Sequence, residues 1–204
     1  MTNLLKGTII LLHGWTVGDI SHNPEFLPDS PENWMGWAKQ ELEKLDYSVT
    51  TPFFRYGYKS EYSQWKQEID KLDINESTVL VGWSSGGAFW VRWLGETKRK
   101  IKRLILVAPA KTVGNPVHFT VELPEGLDIW KRFHDFSTDP TIKDGITDIT
   151  IFVSDDLDWL VKSSELYAEE LAARLIRIED QGHFLPNQRP GPAFPELLEA
   201  LTKS

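Results

Sequence analysis

Short apolar runs recur along the chain, and between them lie segments whose apolar residues return every three or four positions. Residues 7–12 read Gly-Thr-Ile-Ile-Leu-Leu, an unbroken run of the kind expected for a strand buried on both faces. Further strands are predicted at 47–51, 77–81, 102–108, 148–153 and 176–178. Between them, helical spacing links Trp34, Trp37, Ala38, Leu42 and Leu45, with Ser30-Pro31 as the predicted start. It also links Tyr62, Trp65, Ile69 and Leu72 behind a Ser60 cap, and Phe89, Trp90, Trp93 and Leu94. A helix is expected over 163–175, and a last one opens at Pro195 and runs through Leu197, Leu198 and Leu201. Residues 110–146 are less regular and proline-bearing, with a short helix around 128–136. They and the aromatic loop 53–60 are expected to overhang the strand ends.

Strands alternating with amphipathic helices imply a mostly parallel six-stranded sheet with helices on both faces, an α/β fold of three layers. With 204 residues and no low-complexity linker, the chain is expected to form one domain, 1–204, with a small cap-like or irregular segment at about 110–146. Ligands of such sheets bind beyond the carboxyl ends of the strands.

The strand predicted at 77–81 runs directly into Gly82-Trp83-Ser84-Ser85-Gly86, followed by a helix-compatible segment. Gly-x-Ser-x-Gly between a strand and a helix is the form of a nucleophile elbow, and this frame selects Ser84 rather than Ser85. The glycines two residues to either side leave room for the strained turn. A serine hydroxyl needs a base, and the base needs a partner to fix its tautomer. His183 follows the sixth strand beside Gly182 and is the predicted base. His13, at the end of the first strand, is its main competitor, although a role in shaping the neighbouring loop and the substrate pocket suits it better. His22, His118 and His134 fall in irregular or cap-like segments and read as solvated. The acid comes from Asp155, Asp156 or Asp158 after the fifth strand, with Asp156 preferred. The order Ser, Asp, His along the chain, each member at a strand end, is the order this kind of sheet uses.

Oxyanion donors are expected from the backbone N–H of Ser85 and of Trp15. Trp83, Trp159 and His13 adjoin these elements and are predicted to line the substrate pocket. Composition narrows the chemistry. A net charge of −8 argues against nucleic acid and anionic membrane as partners. The absence of cysteine excludes disulfides, thiolate metal sites and a cysteine nucleophile. The aspartates after the fifth strand lack calcium-loop spacing, so neither metal nor cofactor is expected. No apolar run is long enough for a signal core or a membrane span, which fits a cytoplasmic location.

Leu12-His13-Gly14, Gly82-Trp83-Ser84-Ser85-Gly86, Ser154-Asp155-Asp156 and Gly182-His183-Phe184 together resemble the α/β-hydrolase superfamily. More narrowly, they resemble the small, nearly capless serine hydrolases of the retinoblastoma-binding protein 9 and YdeN type. The resemblance spans most of the chain. It implies strand order 2-1-3-4-5-6, an acid at the second aspartate of the pair, Asp156, and carboxylesterase-like activity. The chain departs from the family pattern at Trp83, where histidine is usual, at Leu160-Val161, where proline is common, and in a longer loop at 16–30. The retinoblastoma-binding motif requires a cysteine and is not carried over. The expected partner is a small or medium carboxylic ester. Two other readings use the same residues: a catalytically weak binding or regulatory protein on this scaffold, and acyl transfer to an acceptor other than water.

Overall fold

The computed structural model describes residues 5–16, 23–55, 57–115 and 127–203. Six strands, β1 (Thr8–Leu12), β2 (Ser48–Thr50), β3 (Val79–Trp83), β4 (Ile101–Val107), β5 (Ile146–Val153) and β6 (Arg174–Arg177), form one sheet in the order β2-β1-β3-β4-β5-β6. Every pairing is parallel. The helices are α1 (Trp34–Lys44), α2 (Tyr62–Ile69), α3 (Ser85–Thr97), α4 (Leu127–His134), α5 (Asp158–Leu171) and α6 (Pro195–Thr202).

Successive residues of a strand face opposite sides of a sheet, and the core follows that period. Ile9, Leu11, Val79, Val81, Ile105 and Val107 pack with Trp34 and Leu42 of α1 and Leu197 of α6. Ile10, Leu12, Leu80, Leu104 and Leu106 pack on the other side with Trp65 of α2, Phe89, Trp90 and Trp93 of α3, and Tyr167 of α5. Residues 9–12, 79–81 and 104–107 of the central strands are apolar because both faces are covered there.

Three helix starts differ from the sequence expectation. α1 is capped by Asn33, whose side chain accepts from the Met35 N–H at 2.9 Å, not by Ser30. Ser30 belongs to the preceding turn, whose backbone lies against Gly36: a side chain there would meet the Ser30 carbonyl at 2.0 Å. α2 starts after Glu61, whose N–H donates to Gln64 Oε1 at 2.7 Å, one residue later than the Ser60 cap. α5 begins at Asp158, five residues before the expected 163, with an acidic side chain favourable in its first turn. Its end moves back accordingly: Ala172 turns left-handed at φ 51°, releasing 174–177 as β6.

Leu45, expected on the buried stripe of α1, lies beyond its end and is exposed. In the aromatic loop Phe54 turns inward, stacked on Trp65 at 4.3 Å, while Phe53 is exposed. α4 also packs inward, with Phe133 fully buried among the α2 and α3 side chains.

Candidate active site

Ser84 sits between β3 and α3 with φ 54° and ψ −119°, a strained region for any residue with a side chain. Its peptide is held on both sides: its N–H donates to the Val107 carbonyl at 2.9 Å, and its carbonyl accepts from Ala110 N–H at 3.1 Å. The elbow closes so tightly that a Cβ on Gly82 would lie 2.6 Å from the Gly86 carbonyl, and one on Gly86 would lie 2.4 Å from that of His13. The two glycines of the motif are thus required by contact. Ser84 Oγ and Cβ fill the space beside Gly14, where an added Cβ would come within 2.9 Å of Ser84 Cβ.

His183 Nδ1 is hydrogen-bonded to the Asp156 carboxylate. A carboxylate only accepts, so Nδ1 carries a proton and donates it to Asp156. The other Asp156 oxygen accepts from Leu157 N–H at 2.7 Å, which fixes the carboxylate's orientation. The His183 side chain is 18% exposed and that of Asp156 only 5%. Asp155 does something different. Its Oδ1 accepts from the N–H groups of Gln181 (3.1 Å) and Gly182 (3.2 Å) and from the Ser154 hydroxyl. These bonds, led by that hydroxyl, lower its pKa to about 2. It thereby ties the histidine loop to the end of β5. Asp158 is taken up in the first turn of α5. Gln188 Oε1 accepts the His183 backbone N–H at 2.7 Å, a contact that no sequence signal announces.

The other two described histidines are built differently. His13 Nε2 accepts the Phe54 N–H at 2.8 Å, so its proton lies on Nδ1, which donates to the Gly14 carbonyl at 2.6 Å. Burial lowers its pKa to about 4. Both nitrogens are engaged, which removes His13 as a base. The expectation of a solvated His134 is corrected: it is 1% exposed. Its Nδ1 donates to the Trp130 carbonyl at 2.8 Å and its Nε2 accepts from Ser85 Oγ at 3.1 Å, and burial lowers its pKa to about 4. The apolar residues Trp130 and Phe133 beside it on α4 were the available signal of burial. His22 and His118 lie outside the described residues.

A cavity of about 410 Å³ opens at these strand ends, lined by Ser84, His183, Trp83, His13 and Trp15 among others. Gly14, Thr16, Asn23, Phe26 and Leu185 also line it, and no sequence expectation named them for this role. Ser85 opens α3, so its N–H has no acceptor within the helix. Trp15 shares the cavity wall with Ser84. Trp159, predicted to line the pocket, packs edge-on against Trp130 at 6.1 Å and is not part of the described lining. Among the described residues, no cluster of three or more histidine, aspartate or glutamate side chains could hold a metal. No described helix is long and apolar enough to cross a membrane.

Comparison with known proteins agrees with this architecture. The ydeN gene product from Bacillus subtilis superposes with a TM-score of 0.75 at 18% identity, over 96% of this chain and 97% of that one. A carboxylesterase of the thaumarchaeon Nitrososphaera gargenis matches at 0.62 and 13% identity, over 96% and 88%. Est1E from Butyrivibrio proteoclasticus, solved with ferulic acid bound, matches at 0.62 and 14% identity, over 98% and 88%. No curated protein sequence matches the chain. At these identities the superpositions establish the α/β-hydrolase fold. The sequence profile of the serine hydrolases matches residues 10–202, nearly the whole chain, and the protein belongs to the serine hydrolase family.

Proposed function

We propose that the protein hydrolyses carboxylic esters of small or medium size through an acyl-enzyme on Ser84. His183 Nε2 takes the hydroxyl proton as Oγ attacks the carbonyl, then returns it to the departing alcohol. Asp156 holds the imidazole in the required tautomer and stabilises the imidazolium. The N–H groups of Ser85 and Trp15 receive the developing oxyanion. Water, activated by the same histidine, then releases the acid.

The observation that carries this reading is the pairing of Asp156 with a half-open His183 on the wall of the cavity that also holds the strained Ser84. The cavity lies within the roughly 300–1,000 Å³ typical of small-molecule sites, and Trp15, Trp83, Phe26 and Leu185 give it apolar walls suited to an uncharged acyl group. The carboxylesterase and the ferulic acid complex among the structural neighbours favour the same substrate class. A cytoplasmic location belongs to the same reading and is checked by cell fractionation. The functional test is hydrolysis of p-nitrophenyl esters from acetate to decanoate. Wild-type protein should turn over the shorter members and Ser84→Ala should not. Equal turnover by Ser84→Ala would overturn the proposal.

A further inference from the structure

Trp83 is the last residue of β3 and directly precedes Ser84. Its indole Nε1 donates to the carbonyl oxygen of His183 at 2.9 Å, across 100 residues of sequence. One edge of the indole region meets Trp34 of α1 at 6.2 Å in a T-shaped contact, and the His183 ring lies 5.7 Å away. Trp83 is 8% exposed. Its orientation is therefore set by packing, and its donor is aimed.

The sheet order gives this bond its significance. β4 and β5 lie between β3 and β6, so the strands that lead to Ser84 and His183 are three spacings apart, about 14 Å at about 4.8 Å each. The other bonds described for the histidine loop come from the end of β5 or from its own segment. Asp155 accepts from Gln181 and Gly182, Asp156 binds the ring, and Gln188 accepts the His183 N–H. These fix His183 relative to the acid. The indole of Trp83 fixes it relative to the nucleophile.

We propose that Trp83 is a positioning residue that registers the base against Ser84 through the His183 carbonyl, in addition to walling the cavity. This rests on the reading of Ser84 and His183 as nucleophile and base. Proton transfer requires the two groups within about 3 Å, and misplacement by about 1 Å can cost about 100-fold in rate. The two roles of Trp83 separate kinetically. A wall contributes to substrate binding, so its loss changes KM in a way that depends on acyl length. A positioning bond acts on the chemical step, so its loss lowers kcat by a similar factor for every acyl group.

The test is Trp83→Phe, which keeps a ring and removes the donor, assayed across the p-nitrophenyl ester series beside Ser84→Ala. The expected result is a fall in kcat of about 10- to 100-fold, similar for all esters, with KM within about twofold of wild type. An unchanged kcat, or a loss that tracks acyl length through KM, would overturn the inference. Should the phenylalanine variant fail to fold, benzothienylalanine at position 83 preserves the bicyclic shape without an N–H, and the same kinetics are read on it. Full activity in Ser84→Ala would instead remove the underlying assignment of the nucleophile. An inactive Ser84→Ala beside a Trp83→Phe with wild-type kcat would remove only the role given to Trp83.

Discussion

The loop that carries His183 and the pockets that hold His13 and His134 use one side chain in opposite ways. His183 is partly open, bonded through Nδ1 to a carboxylate, and lines the cavity. His13 and His134 are enclosed, and each spends one nitrogen as donor to a backbone carbonyl and the other as acceptor from the protein. Burial without a carboxylate partner keeps both neutral, with pKa values near 4. In the proposed mechanism the difference between base and structural imidazole lies in a carboxylate partner that stabilises the charged form. Position at a strand end is insufficient, since His13 has that too.

Removing the proposed base, His183, should show the contrast most strongly. His183→Ala is expected to lower kcat/KM by about 10⁴-fold or more. A loss of less than about tenfold would erase the distinction between the two kinds of histidine. Next in size is the proposed acid, Asp156. Asp156→Asn should cost about 10³- to 10⁴-fold in kcat by permitting the wrong imidazole tautomer. Asp155→Asn acts only through the loop backbone and should cost about tenfold or less. An Asp156→Asn variant milder than Asp155→Asn would reverse their roles.

The buried histidines should respond in stability. His134→Phe leaves the Ser85 hydroxyl without its acceptor in a dry site, at a cost of about 1–3 kcal/mol. In a chain of this size each lost kcal/mol lowers the midpoint by about 2–4 °C, measurable by calorimetry. Adding Ser85→Ala should recover part of that loss, because the orphaned group is then gone.

The pH dependence of stability reports on the same two imidazoles. His13 and His134 have folded pKa values of about 4, below the unfolded value of about 6.5. The unfolded chain therefore binds protons more readily between these limits. The stability that neutral burial contributes is complete above pH 6.5 or so, and is lost as pH falls toward 4. Asp155, whose folded pKa is about 2, contributes in a separate window, lost as pH falls from about 4 toward 2. Urea titrations of wild type and His134→Phe across pH 4–7 should show a shallower slope in the variant. Equal slopes would mean that the buried imidazole is not titrating on unfolding.

The strands and both faces of the core were legible because parallel strands covered on two sides read as largely apolar runs and the intervening helices keep their period, whereas the strand order followed from the family resemblance. The elbow was legible because its glycines are demanded by backbone contact at Gly82 and Gly86, a local constraint with a local spelling. Helix starts were less so: Ser30 and Asn33 are both good caps, and the packing of the turn on Gly36 decides between them. The acid could be narrowed to three aspartates from residue type and place, but choosing among them depends on which carboxylate turns to the ring and which to the backbone. His134 was misread because its surroundings in sequence are polar on one side, while burial comes from α3, about 40 residues earlier. The partner of Trp83 was invisible for the same reason of distance.

The central claim is that Ser84, held in its strained turn and served by the Asp156–His183 pair, is the nucleophile. Its most direct test is to label the native protein with a fluorophosphonate and locate the adduct by peptide mass spectrometry. The expected result is a single adduct on Ser84 that forms rapidly in wild type and is lost in His183→Ala. An adduct on Ser85 or elsewhere, or labelling of Ser84 at the same rate without His183, would contradict it.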